Sequence, residues 1–185
     1  MLIPRVLPDL LLSLADRRVF RPVWQQSILG EVERNYPKVA VHHRGADRDE
    51  VVKEVTRLLD SMARAFLDAS VATDKWVSPV GEMACDEKDR HVLAVAADVT
   101  YVVTENTKDF PHTSVPAGIK VIKIDTFLCE LLSTDSEAVI DFVQAVCDRY
   151  SQPAMTVAEL ATKFAHGHSA PRFGRLLHDA TNTPS

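Results

Sequence analysis

Three carboxylates occupy positions where a parallel sheet would bring them together: Glu31, Asp89 and Asp109. Asp89 opens an apolar helical run, and Asp109 follows the β-rich run Tyr101–Thr104 after a short polar loop. Loops at the carboxyl ends of parallel strands form the ligand-binding edge of an open α/β sheet. Carboxylates that converge there repel one another unless a divalent cation compensates their charge, and all-oxygen ligation favours Mg²⁺ or Mn²⁺. Such a site suits hydrolysis of a phosphodiester by metal-activated water.

Each of these carboxylates also has an ordinary structural interpretation. Glu31 could be a solvated helix residue, Asp89 a charge at a helix start and Asp109 a turn former. Ile28 and Val32 lie close to Glu31 on the predicted helix and favour an inward orientation of its side chain. The metal hypothesis therefore depends on the three acids occurring together.

The elements that would position Glu31 are predicted from the first part of the chain. Apolar residues at helical spacing follow Pro8 and end before Val19–Val23, a short run that predicts a strand. Ser27–Tyr36 has the pattern of a second helix, and Pro37 is expected to end it because proline cannot donate the next helical hydrogen bond.

The middle of the chain alternates between helical and β-rich patterns. Asp49–Leu67 has the most regular helical spacing of apolar residues. Acidic residues from Asp86 lead into a buried helical run that ends near Ala97, and Tyr101–Thr104 and Ile119–Lys123 follow as strands. Helix and strand in alternation predict a parallel sheet covered on both faces.

Beyond residue 125 the pattern predicts helices only. Thr134 or Asp135 is a candidate cap, and Thr156 with Glu159 has capping-box spacing. We place a domain boundary near residue 133, with a first domain over 1–133 and a helical extension over 134–185. The predicted helices are Thr126–Leu132, Ser136–Tyr150, Thr156–Phe164 and Pro171–Ala180.

Two motifs in this order resemble the signature of PIN domains. Asp89-Arg-His-Val-Leu-Ala resembles the family's D-x-x-hydrophobic-x-A helix, and Thr104-Glu-Asn-Thr-Lys-Asp-Phe110 resembles its T-x-N-x-x-D-F loop. The segment from Phe20 to Glu31 is similar to the one that contributes the family's second acid. The resemblance covers about residues 1 to 130. It implies an α/β fold, a three-layer α/β/α sandwich with a parallel sheet, followed here by the helical extension.

The resemblance also implies an activity and partners. PIN domains are metal-dependent ribonucleases, and their bacterial VapC-like members are toxins neutralised by a small antitoxin protein. We therefore expect an endoribonuclease that uses Mg²⁺ or Mn²⁺, with RNA as substrate, an antitoxin as partner and a homodimer as a further possibility.

The same resemblance assigns roles to individual residues. Glu31, Asp89 and Asp109 would bind the metal as the catalytic carboxylates. Thr104 and Asn106 would orient the site, while Asp86 would add a negative charge just outside the metal ligands.

The chain departs from the family pattern at its start. PIN domains open with a hydrophobic strand that ends in an Asp, and Met1-Leu-Ile-Pro4 matches only the end of that motif. Asp9 lies nearby but falls at a helix start, so it is a weak substitute for the missing acid. We expect that translation begins upstream, since a GTG or TTG codon encodes Val or Leu internally and Met at a start. The alternative is a catalytically weakened module that binds RNA or protein without cleaving.

Composition limits the class of protein. The chain has 185 residues, 46% hydrophobic and 25% charged, with no apolar run near the roughly 18 residues of a membrane span. We expect a cytoplasmic protein. The net charge of −5 excludes a general attraction to nucleic acid, so RNA must be held by a metal or a local basic group. Arg17, Arg18 and Arg21 could hold a phosphate backbone or simply complement a helix end.

Other reactive residue types have structural interpretations. The three cysteines, at 85, 129 and 147, are widely spaced and are expected as buried free thiols. Trp24 and Trp76 are expected in a core or an interface. His42 and His43 are expected in a polar loop, and no nucleophile elbow or phosphate-binding glycine loop occurs.

Overall fold

The computed structural model describes residues 3–45, 47–71, 99–115, 117–151 and 154–182. The chain divides into two compact units, each discontinuous in sequence. The first comprises Met1–Phe20, Val103–Thr107 and Val121–Ser185, and the second comprises Arg21–Val102 and Lys108–Lys120. The predicted domain boundary near residue 133 stays a prediction.

The described residues form seven α-helices and four short strands. The helices are α1 (Ile3–Asp16), α2 (Gln26–Arg44), α3 (Arg48–Ala65), α4 (Ile124–Thr134), α5 (Ser136–Asp148), α6 (Val157–His166) and α7 (Pro171–Asn182). The strands are β1 (Trp24–Gln25), β2 (Ser70–Val71), β3 (Tyr101–Val103) and β4 (Lys120–Ile122). In the part of the chain that these elements cover, no helix is both long and apolar enough to cross a membrane.

Several predicted elements are confirmed. α3, β3, β4 and the four C-terminal helices lie where their patterns indicated, with ends that differ by a few residues. The carboxylate of Asp135 accepts the backbone N–H of Ala138 at 3.0 Å and caps α5. Thr156 and Glu159 form a complete capping box at the start of α6. The predicted helix of residues 86–97 lies outside the described residues, as do Trp76 and Cys85.

The first unit is built on helix packing between distant parts of the chain. Val6, Leu10 and Leu14 recur every four residues on α1 and are fully buried, and α1 packs against α5. The hydroxyl of Tyr150 donates to the Asp9 carboxylate at 2.7 Å. This contact joins the start of the chain to the residues just after α5.

The α6–α7 pair is the most closely packed part of the first unit. Phe164 and Phe173 are fully buried and meet edge to face, with ring centroids 5.6 Å apart. Gly174 faces the backbone of α6, where a Cβ would lie 2.7 Å from the carbonyl oxygen of Ala161 and closer still to the amide nitrogen of Ala165. Glycine therefore permits a helix separation that no other residue would allow.

A tertiary cap fixes the start of α7 to α4. Asp125, in the first turn of α4, accepts the backbone N–H of Phe173 at 2.9 Å and that of Arg172 at 3.2 Å. The first N–H groups of a helix have no partner within the helix. One carboxylate from a neighbouring helix satisfies two of them here.

The second unit combines a short parallel pair with two helices. Trp24 of β1 lies beside Ser70 of β2. Trp24 is buried and contacts Phe66 edge to face, with ring centroids 5.9 Å apart, which confirms its predicted place in a core. α2 packs on α3 around a second small cluster formed by Ala40, Val51 and Val55.

The two buried thiols of the first unit are confirmed as free cysteines. Cys129 and Cys147 are both buried and form no disulfide. Burial raises the pKa of each thiol, and the nearby Asp125 raises that of Cys129 further. Both side chains act as small apolar residues of the core.

The predicted residue bounds of the first helix and the first strand were wrong. α1 begins at Ile3, so Ile3 and Pro4, the described residues of the segment that resembles the end of the family's first-strand motif, are helical here. The apolar stripe of α1 extends to both sides of Pro8, which lies inside the helix. The strand predicted over 19–23 is instead β1 at Trp24–Gln25.

The shift of this strand follows from how α1 ends. Arg18 has a φ of 62°, and the backbone N–H of Val19 donates to the carbonyl of Leu14 at 3.0 Å. This is a Schellman-type end, and it uses the residues that were expected to start the strand. Pro22 has no N–H to donate, so β pairing begins at Trp24.

The prediction that α2 ends at Pro37 was also wrong. The helix continues to Arg44 and ends at Gly45, which has a φ of 59°. An interior proline costs about 3 kcal/mol of helix stability. Ala40 packs against α3 beyond the proline, and this burial favours continuation of the helix. His42 and His43 therefore lie in α2 and not in a loop.

The prediction of an α/β fold with parallel strands is confirmed, but the predicted layer arrangement is not. Among the described residues there are two separate two-stranded pairs, β1 with β2 and β3 with β4. Both are parallel, and the chain is of mixed α/β type. The three-layer sandwich remains a proposal.

The α6–α7 contact predicts opposite effects for the same substitution in two helices. Gly174→Ala should lower the free energy of unfolding by roughly 1–3 kcal/mol, because the new methyl group overlaps backbone atoms. Gly30→Ala in α2 is the control, since a Cβ there meets only the flexible guanidinium of Arg34. It should raise the free energy of unfolding by about 0.5–1 kcal/mol through helix propensity. Urea unfolding followed by circular dichroism tests both, and equal effects would contradict the close approach.

The capping box of α6 predicts a pH-dependent contribution to stability. Hydrogen bonds from Thr156 lower the pKa of the Glu159 carboxyl below its usual range. A carboxyl with a lowered folded-state pKa contributes stability above its unfolded pKa, and this is lost as the pH falls through the folded-state value. Glu159→Gln should therefore lower the melting temperature at neutral pH, and the difference from the parent should vanish in acid. Glu137→Gln removes the same charge from the first turn of α5, whose cap is Asp135, and should show a smaller change.

Candidate functional site

The β3–β4 pair defines the edge at which the candidate site lies. The backbone N–H of Lys120 donates to Thr100 at 2.9 Å, and that of Thr104 donates to Ile122 at 3.0 Å. These bonds advance in the same direction on both strands, so the strands are parallel. Thr104 and Lys123 are therefore the first residues beyond the strands at their carboxyl ends, where α/β proteins bind ligands.

The loop after β3 has a defined backbone conformation. The hydroxyl oxygen of Thr104 accepts the backbone N–H of Asn106 at 3.2 Å, which closes a local turn. A single 3₁₀ turn follows at Thr107–Asp109, and the next residue, Phe110, is buried. Asp109 is half-buried beside this anchor. The position of Asp109 is thus defined by the polar turn that precedes it and by the buried Phe110 that follows it.

Glu31 lies on α2, and its side chain is exposed. Leu29 faces the cluster around Trp24, and Glu31 points away from that core. The expectation that Glu31 faces inward was therefore wrong. Ile28 is only half-buried and Val32 is exposed, so the apolar neighbours on which that expectation rested do not form a core face.

The predicted metal ligands are only partly described. Glu31 and Asp109 belong to the second compact unit, whereas Thr104 and Asn106 belong to the first. Asp89 and Asp86 lie outside the described residues. Within the ranges that the structure does describe, no group of three or more His, Cys, Asp or Glu is placed to hold a metal. The convergence of the three carboxylates stays a prediction.

A fourth carboxylate has a similar position in the sequence and a different role. Asp125 follows β4 closely, as Asp109 follows β3, but its two oxygens accept the N–H groups at the start of α7. It therefore acts as a helix cap and not as a metal ligand. Sequence reasoning missed this role, because the helix that it caps begins 46 residues further along the chain.

The basic cluster near α1 is also clarified. The Arg17 guanidinium lies over the ring of Phe142 on α5, 5.5 Å from its centroid. Arg18 supplies the left-handed residue that ends α1. Both arginines thus have structural roles at this helix end, and binding of a phosphate backbone by the cluster stays a prediction.

Comparison with known families identifies the chain. A family model described as PIN domain matches residues 2–108, which is more than half of the 185 residues. The chain belongs to the PIN domain family. A second model, described as VapC50 C-terminal domain, matches residues 124–179, which include α4 to α6 and most of α7. No curated protein and no solved structure gives a significant match.

Proposed function

We propose that this PIN domain protein is a Mg²⁺- or Mn²⁺-dependent endoribonuclease and the toxin of a bacterial toxin–antitoxin pair. The observation that carries the proposal is the loop of residues 104–109, which follows a parallel strand at its carboxyl end in a chain of this family. The match of the C-terminal helices to a domain named after VapC50 supports the toxin assignment.

The donor chemistry of the proposed site fits a hard divalent cation. Glu31, Asp89 and Asp109 offer only carboxylate oxygens, which Mg²⁺ and Mn²⁺ prefer. When bound, the ion neutralises charge on the phosphodiester and lowers the pKa of the attacking water. The three carboxylates would hold it. The hydrogen bond from the backbone N–H of Asn106 to the hydroxyl oxygen of Thr104 stabilises the turn before Asp109. Asp86 would add to the negative potential.

Further parts of the family resemblance are also proposals. We propose that β3 and β4 belong to a three-layer α/β/α sandwich, with the helical extension beginning near residue 134. The protein would act in the cytoplasm on RNA, and a homodimer is its proposed assembly.

The catalytic assignment predicts a specific loss of cleavage. Asp89→Asn or Asp109→Asn should reduce metal-dependent RNA cleavage by more than the roughly 10- to 100-fold expected for residues outside the metal ligands. In the absence of metal, each variant should be as stable as the parent or more stable, because one of several mutually repelling carboxylates is gone. Cleavage of a labelled RNA during a Mg²⁺ or Mn²⁺ titration, with thermal unfolding in EDTA, measures both effects.

Asp60→Asn is the matched control, because Asp60 is an exposed carboxylate of α3. It should leave cleavage unchanged. If both site variants cleave like the parent, the carboxylate assignment is wrong. If the parent binds RNA but never cleaves it with either metal, the protein is a catalytically weakened module that binds RNA without cleaving it.

The toxin assignment predicts a small inhibitory partner. An arginine of that partner should block the metal site, because a guanidinium pairs bidentately with clustered carboxylates and competes with the cation. The partner should co-purify with the chain from its native operon and inhibit RNA cleavage, and an Arg→Ala change in the partner should relieve the inhibition. Purification without a small companion, at a yield that deletion of the neighbouring genes leaves unchanged, would count against this assignment.

A further inference from the structure

The start of α2 lies at the carboxyl end of the β1–β2 pair. These strands are parallel, with Trp24 beside Ser70 and Gln25 beside Val71. Gln25 is both the last residue of β1 and the N-cap residue of α2, so the strand leads into the helix without a loop. Both strands and α2 belong to the second compact unit. The carboxyl ends of parallel strands are where α/β proteins bind ligands.

The first turn of α2 presents backbone N–H groups that no side chain caps. Gln25 makes no capping hydrogen bond through its side chain, and the first turn contains no acidic residue. Among the described residues, no acceptor is bonded to the N–H groups of Ser27 and Ile28, which an N-cap side chain would normally satisfy. The helix dipole adds a partial positive charge at the same place.

A buried amide group lies at this helix start. The side chain of Gln25 is only 1% exposed. Its Oε1 accepts the hydroxyl of Ser27 at 3.1 Å, which holds the carboxamide against the first turn of α2. In the part of the chain that the structure describes, its Nε2 has no acceptor. Proteins retain few buried donors without a partner, so this amide is available to a ligand.

We propose that the first turn of α2 binds a phosphate group of the RNA backbone. The N–H groups of Ser27 and Ile28 and the Nε2 of Gln25 would donate to its anionic oxygens. A phosphate offers negative charge and acceptors only, which matches donors at the positive end of a helix dipole. Ser27 is exposed, so a phosphate at the surface reaches the buried amide once the Ser27 side chain rotates. This inference rests on the proposed ribonuclease function.

The phosphate subsite and one proposed metal ligand share a helix. Ser27 and Glu31 are four residues apart in α2, so they lie on the same face and about 6 Å apart along the axis. Both side chains are exposed. A phosphate at the first turn would therefore hold the RNA backbone one helical turn from Glu31. Such contacts fix the register of a nucleic acid independently of its base sequence.

The first test uses the full chain, a fluorescein-labelled single-stranded RNA and the variant Gln25→Met, which removes the amide at similar volume. Anisotropy in EDTA measures binding without cleavage over a series of salt concentrations. Gln25→Met should weaken binding about ten-fold, as expected for one hydrogen bond to a charged group. The factor should be equal at all salt concentrations, because a neutral donor releases no counterion. Gln144→Met, which removes an exposed amide of α5, is the control and should bind like the parent.

A second variant changes only the surface of the subsite. Ser27→Asp places a negative charge in the first turn of α2, which stabilises the helix and repels a phosphate. It should weaken RNA binding at least as much as Gln25→Met and should not lower the melting temperature. Ser61→Asp adds the same charge at an exposed position of α3 and should leave the affinity nearly unchanged.

Melting temperatures separate a ligand contact from a structural role of the amide. Gln25→Met should melt at the same temperature as the parent or higher, because a buried donor without an acceptor has been removed. Weaker binding together with a lower melting temperature would assign Gln25 a structural role and overturn the contact.

The remaining results distinguish this inference from the function on which it rests. Parent-like RNA affinity in either site variant, with a parent that cleaves RNA, would overturn only the subsite. A parent that neither binds nor cleaves RNA would overturn both. An equal loss of affinity in Ser61→Asp would show a general charge effect and overturn the specific contact. Loss of inhibition by inorganic phosphate with parent-like RNA affinity would indicate a site for free phosphate and also overturn the RNA contact.

Discussion

The parallel pairing of β3 and β4 is the constraint on which the rest of the candidate site depends. The bond from Thr104 to Ile122 brings the ends of the two strands to one edge. The pairing therefore positions the segments that follow the two strands. The turn that leads to Asp109 follows β3, and Lys123 with the start of α4 follows β4. A shift of this register by one residue would turn the side chains of one strand to the opposite face of the pair.

Two carboxylates near this pair show how surroundings decide the role of a residue. Asp109 ends a 3₁₀ turn and precedes the buried Phe110, and its role as a metal ligand is our proposal. Asp125 has two backbone N–H donors directed at its oxygens, so its charge stabilises the start of α7. The role of Asp125 therefore follows from a distant helix, whose first N–H groups it binds, and not from its position after β4.

The C-terminal helices are part of a core that includes the beginning of the chain. α1 packs on α5, α7 packs on α4, and α6 joins α7 across Gly174. These helices bury apolar side chains such as Leu10, Val143 and Phe173, and Asp125 caps α7 from α4. The region that matches the VapC50 C-terminal domain is thus stabilised by the same unit that carries Thr104 and Lys123.

The sequence alone was sufficient for the elements whose signals are local. The 3.6-residue period placed α3 and the C-terminal helices, the capping residues placed the starts of α5 and α6, and the β-branched runs placed β3 and β4. The order of the two acidic motifs was enough to indicate the family. These features depend on residues that are close together in the sequence, so they can be predicted without knowledge of the tertiary structure.

Only the tertiary structure decided the features that depend on distant partners. α2 passes through Pro37 because α3 buries the residues beyond it, and Glu31 is exposed because the core lies on the other side of its helix. Asp125 is a cap because α7, which begins 46 residues further along the chain, places its first N–H groups against the Asp125 carboxylate. Each outcome depends on a contact between residues that are far apart in the chain. A local sequence pattern does not show which distant residues will meet, so it cannot predict such a contact.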